Sequence, residues 1–554
     1  LDRVAADPEL PLSISDAGGQ LAALGQAGVL RAYTAAGVPR LAFRHELIRD
    51  VAYLSLWQRD RCAVHAAVAR ALKACFAGAV EAQPEWLAHH LAGAGQHAEA
   101  VALWERAARA AAAASANREA IRHARAALES LAQAEASAAR DATELRLLLL
   151  LAARLIAAEG YGAEEVGRVY LRAGALAAAH GDTAVRGKLL LGLESVHVMR
   201  GELDRAEVLA QQALESARAG ADPYMRLQAR WALANARFHA GDSHAALPEF
   251  EACLAAYRPE MHYPAAVQDP GVMCMCYSAW ALWEQGRADA AQRRAEEVVA
   301  LARSLQHRFS LGEAYGFAAS IALFRGEVAE GLAWADQAVD LCEEAGFTVW
   351  LAHARVVRGR LRVLAGDHAG GGAEMEAGYR LWTATGAAIT RPFYLSLIAA
   401  THLEAGRAAE AAPRIDEARA LVERTGERYH LAELLRLAGL VALAEGDAPK
   451  GQVLLRQAMT LAAAQGKQAF VLRAATALGE HLAASGHLGE AKQVVGAALS
   501  NIVEGRATAD PRRAQALLAS MGAERPGCSE GIEAPMAQTR RASVPPPGVV
   551  DETH

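Results

Sequence analysis

Chemistry at a phosphate calls for a lysine beside a glycine-rich loop, and this chain has only five lysines: Lys73, Lys188, Lys450, Lys467 and Lys492. None is followed by Ser or Thr, so no G-x-x-x-x-G-K-[ST] loop is present to cradle phosphates. Gly187-Lys188-Leu189 comes nearest and falls inside a predicted helix. His45 opens H-E-L-I-R without the second histidine of a zinc-binding helix. Gly93 and Gly95 make a G-x-G at a helix end, not between strand and helix, and no G-x-S-x-G elbow appears. His89 and His90 adjoin, but neighbours on a helix face different ways and share a metal poorly. The seven cysteines are odd in number and form no C-x-x-C pair, which reads as reduced thiols. The chain is expected to hold no catalytic residues, no metal and no cofactor of its own.

Recognition chemistry is better represented. Trp231, Phe238, Trp280, Trp283, Tyr315 and Phe324 are concentrated in one stretch, with Asn235, His239 and Glu284 among them. Aromatic anchors with a few polar groups are what a peptide or small-ligand groove requires. The candidate groove residues are Trp231, Asn235, His239, Trp280, Trp283, Glu284, Phe324 and Arg360. Ordinary core filling is the other reading of the same aromatics, and the sequence leaves both open. Arg540 and Arg541 stand just ahead of Ser543, an arrangement that basophilic kinases favour and that chance also produces in an arginine-rich chain.

The elements that would position these residues follow from composition. Of 554 residues 53% are hydrophobic, largely alanine and leucine, while aromatics are 6% and charged residues 22%. Small apolar side chains suit closely packed helices and fit an all-β protein poorly. A net charge of −6 supplies no positive field for nucleic acid. The longest apolar run, Leu147 to Ala153, is fenced by Arg146 and Arg154 and falls far short of the roughly 20 residues of a membrane span. No basic segment followed by an apolar one opens the chain, so a cytoplasmic location is expected. Leu1 is not a methionine, which fits a piece of a longer protein.

Glycine-led turns recur at Gly201, Gly241, Gly286, Gly326, Gly366, Gly406, Gly446 and Gly486, a 40-residue period broken once by 45. Five residues after each glycine stands a small residue: Ala206, Ala246, Ala291, Gly331, Gly371, Ala411, Gly451 and Ala491. Seven before it the residue is again Ala or Gly, with Glu194 the one departure. Glycine ends one helix in a left-handed turn and small residues let the next helix lie close. No single pair can bury its apolar face alone, so the pairs must stack. The expected fold is all-α, a right-handed superhelical solenoid of helix pairs.

These spacings resemble the tetratricopeptide repeat, lengthened from its usual period to about 40 residues. Ala88, Gly95, Ala100 and Ala107 fit an earlier unit. The carboxylate clamp of chaperone-binding repeats would need Lys and Asn on the concave face, and only Asn235 matches. The five extra residues lie within Tyr257 to Gly271, whose Pro259, Pro264 and Pro270 predict a loop projecting from the array, as a binding face or as a spacer. Four segments are expected: the end of a winged-helix-like domain over 1–60, irregular helical repeats over 61–200, regular repeats over 201–520, and a disordered tail over 522–554.

The stretch FRHELIRDVAYLSLWQRDRCAVHAAVARAL, Phe43 to Leu72, with the later blocks QDPGVMCMCYSAWALWEQGRADAA and TGERYHLAELLRLAGLVALAEGD, resembles the repeat arm of large bacterial signalling ATPases. The likeness is greatest to those carrying an amino-terminal class III adenylate/guanylate cyclase. That resemblance implies a protein-interaction or ligand-sensing arm, with ATP and Mg held by upstream modules in cis. None of the residues that bind them there has a counterpart here. A transcription regulator or Ser/Thr kinase on the same chassis, or a stand-alone scaffold, would carry the same arm.

Overall fold

The computed structural model describes residues 2–10, 16–35, 38–180, 183–219, 222–261 and 267–522, and the tail with Ser543 lies outside them. Each turn glycine ends its helix in the left-handed region, with φ running from 71° at Gly406 to 101° at Gly241. In all eight turns the N–H after the glycine donates to the carbonyl five residues back, as Glu202 does to His197 at 2.8 Å and Asp242 to Arg237 at 3.0 Å. This pattern satisfies carbonyls that the helix end would otherwise strand. Where aspartate follows glycine, its carboxylate caps the second helix: Asp242 accepts from Ala245 N, Asp367 from Gly370 N and Asp447 from Lys450 N at 2.9–3.1 Å.

The result is an all-α array, with twenty-seven α-helices among the described residues. Pro223–His239 pairs with Ser243–Ala256, Pro270–Glu284 with Ala288–Leu305, Arg308–Arg325 with Val328–Ala345, and Thr348–Leu364 with His368–Ala384. Three further pairs follow, from Arg391–Glu404 to Leu488–Ser500, and helix Ala509–Gly522 closes the array. The small residues sit at the pair contacts, where Ala206, Ala246, Ala291, Ala411 and Ala491 are fully buried. At Gly359 and Gly371 two backbones meet, and a Cβ on either would lie 2.6 or 2.5 Å from the other's carbonyl oxygen. At the amino end, helix Ala17–Gln26 leads into an antiparallel hairpin, Leu30–Ala35 with Val38–Phe43, and then helix Glu46–Ser55. No helix among the described residues is long and apolar enough to cross a membrane.

A second glycine series, Gly346, Gly386, Gly426 and Gly466, also has positive φ and forms the loops between units. These loops carry the superhelical closure. Arg428 N donates to His239 O at 2.9 Å, Ala388 N to Met199 O at 2.6 Å, and Thr348 Oγ1 to Ala158 O at 2.5 Å. The partners are 189 or 190 residues apart, about 4.7 units of the 40-residue period, so one superhelical coil rests on the next. The apolar core accordingly runs through the lumen, from Ala157 to Ala514.

The described parts of the insertion lie on either side of Pro264. Pro259 opens a single 3-10 turn, Pro259–Met261, and Pro270 is the first residue of helix Pro270–Glu284. Residues 262–266 lie outside the described residues. From Gln268 the chain turns inward because Asp269 is held from several sides: it caps Gly271 N and Val272 N, accepts from Tyr257 Oη at 3.2 Å, and its own N–H donates to Ser310 Oγ at 2.9 Å.

Candidate ligand-binding site

Side chains from the first helices of successive units, among them Met199, Asn235, Trp280, Phe317 and His353, meet around a cavity. Trp231, Tyr277, Trp280, Phe317 and Trp350 wall it from one coil. Trp382, Tyr394 and Tyr429 of the next coil close it. The centre of a water-sized sphere can range over about 60 Å³, room for a few waters or a small organic body. Glu194, Asn235, His239, Glu313 and His353 are among its polar groups, and no lysine or arginine lines it among the described residues.

The electrostatics of this cavity are unbalanced. Glu194 is buried; its Oε2 accepts from Ser195 Oγ at 3.2 Å and its Oε1 has no partner. Burial, partly offset by the Ser195 hydroxyl, pushes its carboxyl up to about 8. Glu313 is fully buried; Oε2 accepts from Gln268 Nε2 at 3.3 Å and Oε1 has no partner. Burial and the neighbouring Asp269 raise that carboxyl well above the usual range. The Tyr161 hydroxyl donates to Gln268 Oε1 at 2.5 Å. Burial raises that phenol, and both Glu313 and Glu194 add to the effect, so the two carboxyls lie within electrostatic reach of one tyrosine. The indole N–H groups of Trp231, Trp280 and Trp350 are buried without acceptors. Buried polar atoms in a fold are normally paired, so an accumulation of such atoms around one cavity marks a place where a further molecule can supply partners.

Asn235 Nδ2 and His239 Nε2 are likewise buried without partners, whereas both ring nitrogens of His353 are satisfied. His353 Nδ1 meets Tyr394 Oη at 2.9 Å and Nε2 meets Ser320 Oγ at 3.0 Å, while burial lowers the ring to about 4 and keeps it neutral. His239 Nδ1 lies 3.1 Å from Glu427 Oε1, whose carboxylate also accepts from Thr390 N at 2.8 and 3.0 Å. The His239–Glu427 contact crosses from one coil to the next, and the Thr390 bonds fix Glu427 within its own coil.

Of the residues singled out by sequence, Trp231, Asn235, His239 and Trp280 line this cavity. Trp283 stacks on Phe324 at 4.4 Å within the core, with the Arg473 guanidinium over its ring. Glu284 is fully buried in an ion pair with Lys467 of the next coil, its oxygens 3.2 and 3.1 Å from Nζ. Phe324 and Arg360 line a second, larger cavity of about 390 Å³ further along the lumen, where the charges are paired. Arg360 there is bidentate to Glu404 at 2.7 and 2.6 Å. Glu433, which burial alone would raise, is held down at about 2 by Arg436 and Arg473. Sequence reasoning misses Glu194 and Glu313 as site residues. Glu194 has a signal, since it alone breaks the small-residue row. Glu313 has none, because its row thirteen before the glycine mixes Met273, Glu313, His353 and Phe393.

Comparison with known proteins agrees with this architecture. Residues 173–482 match the model of the MalT-like TPR region. Among solved structures, a Rap protein complexed with competence and sporulation factor is 14% identical, with a TM-score of 0.48, and covers 66% of this chain and 99% of its own. The Cut9–Hcn1 hetero-tetramer of APC/C is 13% identical over 85% of this chain and 98% of its own, with a TM-score of 0.43. A signal transduction ATPase with numerous domains and a tetratricopeptide repeat sensor, from Pyrococcus horikoshii, is 12% identical over 68% of this chain and 54% of its own, with a TM-score of 0.36. No curated protein sequence matches. The family match spans more than half of the chain, and the chain belongs to the MalT-like TPR region family.

Proposed function

We propose that this chain is the ligand-sensing arm of a cytoplasmic signal-transduction ATPase. The observation that carries the reading is the lumen cavity, whose walls come from both superhelical coils and whose buried polar atoms lack partners. A molecule bound there touches both coils at once. It therefore favours the closed superhelix over any opened form by its binding free energy, about 2.7 kcal/mol at a hundred times its Kd. Closure is the two-state element through which occupancy is read.

The family likeness of the blocks from Phe43 onward supports an ATPase in cis, holding ATP and Mg, with a class III nucleotide cyclase as the output it controls. The amino-terminal face supports a docked partner as well. Leu47, Val51, Leu54 and Trp57, on and just after helix Glu46–Ser55, are two-thirds exposed or more. An apolar face of this kind on a folded surface marks an interface.

The test begins with the reading frame upstream of Leu1. A G-x-x-x-x-G-K-[ST] loop there supports attachment in cis, and a frame without one contradicts it. A kinase or DNA-binding module in place of the cyclase changes the output and leaves the arm's role intact. In the parent protein, Glu427→Gln weakens the His239 contact that crosses the coils and the Thr390 bond that holds Glu427 in place. ATP turnover should then change several-fold while helicity is retained, and unchanged turnover contradicts sensing through coil closure.

A further inference from the structure

Resting on the reading of the lumen cavity as a ligand site, we infer that its ligand is a small organic ammonium carrying an oxygen acceptor, held by Glu194 and Glu313 inside an aromatic box. Three observations on separate groups converge on this class. First, the acidic groups are unmatched: two buried carboxyls each keep one oxygen free, and the lining holds no lysine or arginine among the described residues. The second cavity provides the contrast within the same lumen, because Arg360, Arg436 and Arg473 there each face an acidic partner. Without a counter-ion burial favours the neutral form of both carboxyls, and a cation that donates hydrogen bonds is the partner that lets them ionise in place.

Second, the walls around those carboxyls are aromatic faces. Trp280 makes edge contacts with Phe317 and Tyr429, and Phe238 with Tyr277, so rings of both coils adjoin around the cavity. Rings arranged in this way attract an ammonium through their quadrupoles, and the attraction is strongest when water is excluded. Third, the three indole N–H groups of Trp231, Trp280 and Trp350 are donors without acceptors. An anion would satisfy them and meet the two carboxyls. A hydrocarbon would satisfy neither set. An ammonium with a hydroxyl or carbonyl on its stem offers a partner to each set.

The space limits the ligand to a few heavy atoms beyond its head group. His239, His353, Tyr161 and Gln268 complete the polar rim, and each has at least one hydrogen bond within the protein. The recognising charge is therefore left to Glu194 and Glu313.

Three probes of one shape separate the alternatives: 4-amino-1-butanol, butane-1,4-diol and 4-hydroxybutyrate, with the same stem and hydroxyl and a cationic, neutral or anionic head. Each is titrated at millimolar concentration against the full chain, with thermal unfolding by circular dichroism and ligand-observed NMR as readouts. The amine should bind at least about tenfold more tightly than the diol and raise the unfolding temperature, while the acid should not bind. The double variant Glu194→Gln, Glu313→Gln should keep its helicity and lose the preference for the amine. Equal or tighter binding of the diol or the acid overturns the ammonium assignment and leaves the cavity a ligand site. Amine binding unaffected by the double variant places the amine elsewhere and also overturns it. Binding of none of the three overturns both this assignment and the reading of the cavity as a ligand site.

Discussion

Glu194→Gln removes one buried acid and preserves its shape, which makes the cavity's electrostatics measurable. The wild-type carboxyl would titrate near 4.5 in the unfolded chain and near 8 in the fold, raised by burial against the opposing Ser195 hydroxyl. A carboxyl raised in this way keeps its proton in the fold after the unfolded chain has lost it. Its stabilising contribution is complete below about 4.5 and is lost as the pH climbs towards about 8. A gap of about three and a half pH units, at about 1.4 kcal/mol each, is worth about 5 kcal/mol. Glutamine has no proton to lose. Variant and wild type should therefore be equally stable near pH 4.5, and the variant should lead by about 5 kcal/mol at pH 8. His353 and His430, lowered by burial to about 4 and about 3, act in the opposite sense, since their stabilising effect is present above about 6.5 and lost on acidification. Both are common to the two proteins and cancel in the difference. The assay is urea unfolding by far-ultraviolet circular dichroism between pH 5 and 8, backed by hydrogen exchange of helix Thr183–Met199 to isolate local opening. A difference that stays constant across this range would mean that Glu194 is ionised and paired throughout, and the account of the cavity would fail.

Three further outcomes follow from the packing. Lys467→Met leaves the fully buried Glu284 without its cation and should destabilise the array by about 3–5 kcal/mol, whereas adding Glu284→Leu should recover most of that loss. A double-mutant cycle in urea checks it, and additive losses would show that the pair is uncoupled. Gly371→Ala places a Cβ 2.5 Å from the Gly359 carbonyl and should cost about 1–3 kcal/mol, while Gly372→Ala, with open space around it in the same helix, should stabilise by about 1 kcal/mol. Equal signs for the two would contradict the close backbone approach. Leu47→Lys with Leu54→Lys should leave the arm's unfolding temperature unchanged and abolish docking of the ATPase module, as read by co-purification of the separately expressed parts.

Much of this fold is legible in the sequence because its causes are local. Gly241-Asp242 encodes both the left-handed turn and the cap on the following helix, and Ala246 encodes the close packing of the pair. The coil-on-coil closure is not local. It depends on a small rotation per unit that accumulates over about 4.7 units before Arg428 reaches His239, and the period does not fix that rotation. An open groove and a closed lumen therefore share one repeat pattern. The same limit governs the site. Trp231, Asn235, His239 and Trp280 are visible as an aromatic and polar concentration, yet only the closure separates those that line the cavity from Trp283 and Glu284, which pack against the next coil. Glu194 announces itself by replacing a small residue at a packing position, whereas Glu313 gains meaning only from the partners it lacks.

Hydrogen exchange at the bonds that join the coils tests the central claim most directly. The amides of Arg428, which donates to His239 O, and Ala388, which donates to Met199 O, report closure, and the Thr390 amide reports the Glu427 clamp. With 4-amino-1-butanol at saturation these amides should exchange more slowly, while those of helices remote from the lumen, such as Leu488–Ser500, should keep their rates. Saturation without slowing at Arg428 and Ala388 would contradict the claim that a ligand in this cavity holds the two coils together.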